Sequence, residues 1–111
     1  MKYLIKQGTD TNKEDKMGEI SLFSDCISEN ENLVKYLIEQ GTDINKENKM
    51  GKTPLFNVCE SGNENLVKYL IEQGADINKE DVDGKTPLFY VCSNGNENLV
   101  KYLMELKINK Q

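Results

Sequence analysis

Gly51-Lys52-Thr53-Pro54-Leu55-Phe56, then Gly62-Asn63-Glu64-Asn65-Leu66-Val67-Lys68-Tyr69-Leu70, then Gly74-Ala75-Asp76-Ile77-Asn78, carry the densest folding signals of the chain. Pro54 suits the first position of a helix, where its missing N–H is not needed and its φ is already helical. Thr53 offers a hydroxyl to an orphan amide of that first turn. Leu55, Val58 and Cys59 then fall at i, i+3 and i+4 on one face, and Gly62 supplies the left-handed residue that ends a helix. A second helix is expected to open near Asn63, with Leu66, Val67, Leu70 and Ile71 as its apolar stripe and Glu64, Asn65, Lys68 and Glu72 facing water. Glu64 and Lys68 form an i, i+4 pair repeated as Glu31–Lys35 and Glu97–Lys101, each expected to contribute about 0.3 kcal/mol. Gly74 closes this helix, and Asp81-Val82-Asp83-Gly84 has the Asp first and Gly fourth that a type I turn prefers.

Outward from that stretch, Lys-Tyr-Leu recurs at Lys2, Lys35, Lys68 and Lys101, each step 33 residues long. The period divides the chain into a half unit, 1–13, and full units 14–46, 47–79 and 80–111, with no linker between them. One such unit cannot bury its apolar face alone, so neighbours must stack.

The motifs Gly-Lys-Thr-Pro-Leu-Phe, Gly-Asn-Glu-Asn-Leu-Val-Lys-Tyr-Leu and Gly-Ala-Asp-Ile-Asn resemble the ankyrin repeat, and they recur over 84–104 and more loosely over 18–45. The resemblance covers essentially the whole chain. It implies an all-α repeat solenoid of stacked antiparallel helix pairs, with β-hairpin or turn fingers projecting at right angles. Phe23, Phe56 and Phe89 stand where that family has His, so the hydrogen bonds of that His near its Thr are missing and apolar packing replaces them. The first full unit is irregular: Ile20-Ser21 replaces Thr-Pro, Glu29 replaces the helix-ending glycine, and Asp25 stands where later units have Val58 and Val91. Burying Asp25 unpaired would be costly, so its helix is expected to rotate, fray or keep that carboxylate wet. In the last unit Lys107 replaces the closing glycine.

Composition excludes several functions. Of 111 residues 14 are lysine, none is arginine, and 19 are acidic, for a net charge of −5, which disfavours a phosphate backbone and leaves no guanidinium fork for a phosphate or a guanine edge. Nucleic acid is therefore not the expected partner. No histidine is present, so no side chain has an unperturbed pKa near neutrality to act as a general base, and no enzyme activity is expected. No apolar run approaches the ~18 residues that span a bilayer, and Lys6 cuts short any signal-peptide core.

Cys26, Cys59 and Cys92 lie one period apart, on helices expected ~8–10 Å from each other, too far for a disulfide. They read as small core residues, free and buried, and with no Asn-x-Ser/Thr acceptor they favour a reducing, cytoplasmic setting. No metal or cofactor is expected, since Cys and His do not cluster. The runs Asp10 to Glu14, Asp43 to Glu47 and Asp76 to Glu80 begin like a calcium loop, but the required glycine is Asp15, Asn48 or Asp81 and the closing glutamate is Ser21, Pro54 or Pro87.

The resemblance implies that a protein partner is held by the finger tips and the outward positions of the first helices. These map onto Lys16, Met17, Glu19, Ile27 and Ser28, then Lys49, Met50, Lys52, Glu60 and Ser61, then Val82, Asp83, Lys85, Ser93 and Asn94. They vary between units while the core positions repeat, and Met17, Met50, Val82 and Ile27 are candidates for an exposed apolar stripe. The expected function is a non-catalytic protein-interaction module. Near-copying of 35–46 by 68–79 also suits a structural or engineered scaffold, or a piece of a longer array, without a dedicated partner; the irregular first unit argues for a natural chain. The half unit presents Tyr3, Leu4 and Ile5 without a first helix of its own, so that end is expected to fray or to self-associate weakly.

Overall fold

A computed structural model of the chain describes residues 14–109, and the readings made above for residues 1–13, fraying and self-association among them, lie outside those residues. The described residues hold six helices and no strand: α1 (Ser21–Ile27), α2 (Glu31–Glu39), α3 (Pro54–Ser61), α4 (Glu64–Glu72), α5 (Pro87–Asn94) and α6 (Glu97–Asn109). Each first helix packs on the second helix of its own unit, and α3 lies against both α1 and α5. One continuous core results, running from Ile20, Leu22 and Phe23 through Leu55, Val58, Leu66 and Leu70 to Val91, Leu99 and Leu103.

The local signals account for the elements. Pro54 and Pro87 open α3 and α5. The hydroxyl of Thr53, however, caps nothing: it is buried without a protein partner, and the first-turn amide of Phe56 donates to the Thr53 carbonyl instead (3.0 Å). Thr53 therefore contributes its extended backbone (φ −107°, ψ 172°), which β-branching favours. The second helices carry the true side-chain caps. Asn30, Asn63 and Asn96 accept on Oδ1 from the amides of Leu33, Leu66 and Leu99 at 3.2, 3.0 and 3.2 Å.

Gly62 and Gly95 take the left-handed conformation between paired helices, φ 77° and 71°. The first unit keeps that conformation without glycine, since Glu29 has φ 60°. Its carboxylate accepts from the Asn63 amide group at 3.1 Å, a contact to the next unit that a glycine could not make. Asp25 stays half-buried in a depression with Ser21, Ser24, Leu33 and Leu37, and burial raises its carboxyl pKa. With Lys107 in place of a glycine, α6 runs on to Asn109.

Two expectations are corrected. Cys26 and Cys59 are buried, but Cys92 is exposed, because the two inner cysteines each have a further helix pair laid over them and the last has none among the described residues. Two lysines of the helical Glu–Lys pairs reach across units: Lys35 lies over the Tyr69 ring and Lys68 over the Tyr102 ring, each 5.4 Å from the centroid. Ion pairs run between finger bases instead, Lys79 to Glu47 at 3.4 Å and Lys46 to Glu14.

Candidate functional site

Each finger is a single turn held by its first side chain. Asp15, Asn48 and Asp81 accept on Oδ1 from two amides apiece: Met17 and Glu19 at 2.9 Å each, Met50 and Lys52 at 2.8 and 3.1 Å, Asp83 and Lys85 at 2.9 Å each. The turn closes when the amide of Gly18, Gly51 or Gly84 donates to the carbonyl of that first residue, at 3.0, 3.0 and 2.9 Å. These short loops therefore need no strand to be rigid.

The tips are stitched into a row. The Lys49 amide donates to the Met17 carbonyl at 2.8 Å, and the Val82 amide to the Met50 carbonyl at 2.9 Å. Asn48 adds a bond from its side-chain amide to the Glu19 carboxylate at 2.9 Å. Gly51 makes the close approach possible: a Cβ there would lie 3.0 Å from the Val82 nitrogen and 3.2 Å from the Asp81 Cα.

Behind the tips, Lys52 joins the fingers to the first helices. Its Nζ is 3.6 Å from the Glu60 carboxylate and 4.9 Å from the centroid of the Tyr90 ring. The Tyr90 hydroxyl donates to Oδ2 of buried Asp81 at 2.6 Å, and the ring meets Phe56 and Phe89 edge-on at 5.8 and 5.4 Å. Burial alone would raise the Asp81 carboxyl, but the Tyr90 hydroxyl, the Lys85 and Asp83 amides and the nearby Lys52 charge outweigh it and hold Asp81 below the usual carboxylate range. The same hydrogen bond, with burial, raises Tyr90 to about 12. Beyond Glu60, a depression is shared by Ile27, Asn57, Glu60 and Ser61, and Asn57 Nδ2 is buried there without a protein partner.

Of the residues singled out from sequence, Lys16, Met17, Ile27, Lys49, Met50, Glu60, Val82, Asp83 and Ser93 are exposed, as are Ser28 and Ser61. Met17 is 44%, Met50 41%, Val82 63% and Ile27 59% exposed. Glu19, Lys52 and Lys85 are half-buried, Glu19 holding Asn48 and Lys85 lying 4.7 Å over the Phe89 ring. Asn94 is exposed as well, and its side-chain amide ties that outward position to α3 by donating to the Cys59 and Glu60 carbonyls at 2.8 and 2.6 Å. Val82 stands one period after Lys49, not after Met50; the bond from its amide to Met50 nevertheless sets the two apolar residues side by side.

Tyr90 and Asn57 join the site although no motif marks them; their signal is the same variation between units, since Ser24, Asn57 and Tyr90 share one position of the period, while Asp81, legible as a turn residue, gains its second role only through Tyr90. In the two calcium-like runs that fall within the described residues, Asp43 and Asp76 accept from the amides of Asn45 and Asn78, and Asn45 both donates to the Gly74 carbonyl and accepts from the Asp76 amide.

A family model described as ankyrin repeats, three copies, matches residues 1–81 and 22–111, and the two matches together span the chain. A search of curated proteins returned no match.

Proposed function

We propose that this chain, which belongs to the ankyrin repeat family and so to a family that generally mediates protein interactions, binds a protein partner along its row of finger tips and the adjoining faces of α1, α3 and α5. The observation that supports this reading is the exposure of Met17, Ile27, Met50 and Val82, between 41% and 63%, on a scaffold whose other large apolar side chains are mostly committed to the core. Hydrogen bonds stitch the tips and Lys52 ties them to Glu60, so the surface is pre-organised and little ordering cost falls on binding. Apolar tips flanked by lysines and acids match the mixed composition of a protein interface. The family is typically non-catalytic, and binding needs no cofactor. No helix of the described residues is long and apolar enough to cross a membrane. Three unpaired thiols suit a reducing, cytoplasmic setting.

The test is affinity capture from a matched lysate by the parent chain and by a triple variant, Met17→Glu, Met50→Glu and Val82→Glu. Capture of specific proteins should be lost, because a partner would have to desolvate three new carboxylates. The melting curve should move by only a few degrees, since exposed substitutions usually stay within about 0.5 kcal/mol. Unchanged capture would move the site to the opposite side of the stack, around Lys35, Lys68 and Lys101.

A further inference from the structure

The outer seam between α3 and α5 is closed by side chains that the seam between α1 and α3 does not have. Between α3 and α5, Asn94 donates to the Cys59 and Glu60 carbonyls at 2.8 and 2.6 Å, and the Tyr90 ring leans edge-on against Phe56. Ser61 stands one period before Asn94, and Asn57 one period before Tyr90. The Ser61 hydroxyl turns back on its own helix, donating to the Val58 carbonyl at 3.1 Å, and Asn57 brings no ring. A depression of about 370 Å³ stays open there, lined by Ile27, Asn57, Glu60 and Ser61. It lies within the stack, beside two helices packed on each other, so its opening follows from these side chains.

Three of its groups call for different things. Ile27 is exposed and offers an apolar wall. Glu60 keeps its carboxylate in water, because Lys52 comes no nearer than 3.6 Å, beyond hydrogen-bond length, and is shared with the Tyr90 ring. Asn57 Nδ2 makes no hydrogen bond among the described residues, so turning that amide toward an incoming acceptor breaks no bond of Nδ2.

We propose, resting on the interaction reading above, that this depression anchors an arginine of an extended partner segment. Its methylenes lie on Ile27, its guanidinium on the Glu60 carboxylate, and a backbone carbonyl of the same segment accepts from Asn57 Nδ2. One arginine side chain meets the apolar and the acidic demand together, since its stem is apolar and its head charged. A leucine would desolvate Glu60 without a new partner, and a glutamate would meet it with like charge. A lysine adds a point charge of the kind Lys52 already supplies, whereas a guanidinium fork takes both carboxylate oxygens and leaves Lys52 over Tyr90. The net charge of −5 draws a basic segment toward this chain, and with no arginine of its own a second copy cannot supply the anchor.

Pools of immobilised nonapeptides, random except for a central Arg, Lys, Leu or Glu, test this with the full chain. The Arg pool should retain about tenfold more chain than the Leu or Glu pool, and clearly more than the Lys pool. Glu60→Gln should erase that preference, and Asn57→Ala should weaken retention on the Arg pool. Should Asn57→Ala lose structure by circular dichroism, Ile27→Ser, at an exposed side chain, carries the comparison and should weaken it likewise. Glu72→Gln takes the same charge from an exposed position of α4 and should leave the preference intact, which separates this contact from general attraction to an acidic chain. Equal retention on all four pools, no retention on any, a preference for Leu, or an Arg preference that survives Glu60→Gln would overturn the anchor. Retention that ignores the central residue but is lost in the finger-tip triple variant would overturn the anchor alone and leave the interaction reading standing.

Discussion

Glu29 is the one non-glycine residue with a positive φ among those described, 60° against 77° and 71° at Gly62 and Gly95. A left-handed backbone costs an L-residue roughly 1–2 kcal/mol, and the bond from Asn63 to its carboxylate, exposed to water, offsets only part of that. Glu29→Gly should therefore raise stability by about 0.5–1 kcal/mol in a urea titration; a loss would show that the tie to Asn63 outweighs the strain. Tyr90 is the second residue on which stability turns. Tyr90→Phe keeps the ring against Phe56 but removes the donor from buried Asp81, at a cost of about 1–3 kcal/mol. The pH dependence has a definite sign. Asp81, held low in the folded state, stabilises the fold above its unfolded pKa of about 4 and loses that contribution as pH falls through its lower folded value. Tyr90, raised from 10 to about 12, contributes fully below pH 10 and loses that contribution as pH rises toward 12. Urea titrations across both limits should show the variant with a shallower decline than the parent at each.

At the scale of the helix, α3 and α5 have nearly the same sequence and different surroundings. Pro54, Leu55, Phe56, Val58 and Cys59 are all buried on α3, against Pro87 and Val91 on α5. The thiols make the difference measurable. Burial first, then the charge of Asp25 or Glu60 beside them, raises Cys26 and Cys59 to about 12, so neither presents a reactive thiolate near neutral pH. A maleimide or disulfide reagent should label one thiol of the three quickly, at Cys92, and the other two only after denaturant is added. Fast labelling of all three would mean that α1 separates readily from α3, and α3 from α5, in the native state.

A stack in which each unit touches only its neighbours has stability distributed along its length. Among the described residues α3 has a first helix on both sides and α5 on one. Amide exchange should accordingly be slowest in α3 and α4, near Leu55 to Val58 and Leu66 to Leu70, and faster in α5 and α6. Uniform protection from α1 to α6 would show that the stack opens only as a whole.

The repeat, its 33-residue step and the apolar stripes are legible in the amino-acid sequence, because helix periodicity, Pro at the first helical position and glycine after the last are local preferences, the first present in all three full units and the other two in the second and third. The finger turns are legible there too, since an Asp or Asn followed three residues later by glycine closes on its own amides. Only the tertiary structure decided what the stack does with equivalent residues. Cys59 and Cys92 have the same local setting and opposite exposure, because burial depends on whether another helix pair follows. Lys35 and Lys68 abandon the glutamates of their own helices for tyrosines of the next unit, a choice that depends on the separation between helices and appears in no local pattern. Tyr90 and Asp81, nine residues apart, meet for the same reason: the chain returns from finger to helix within one unit, and distance in space follows from that path.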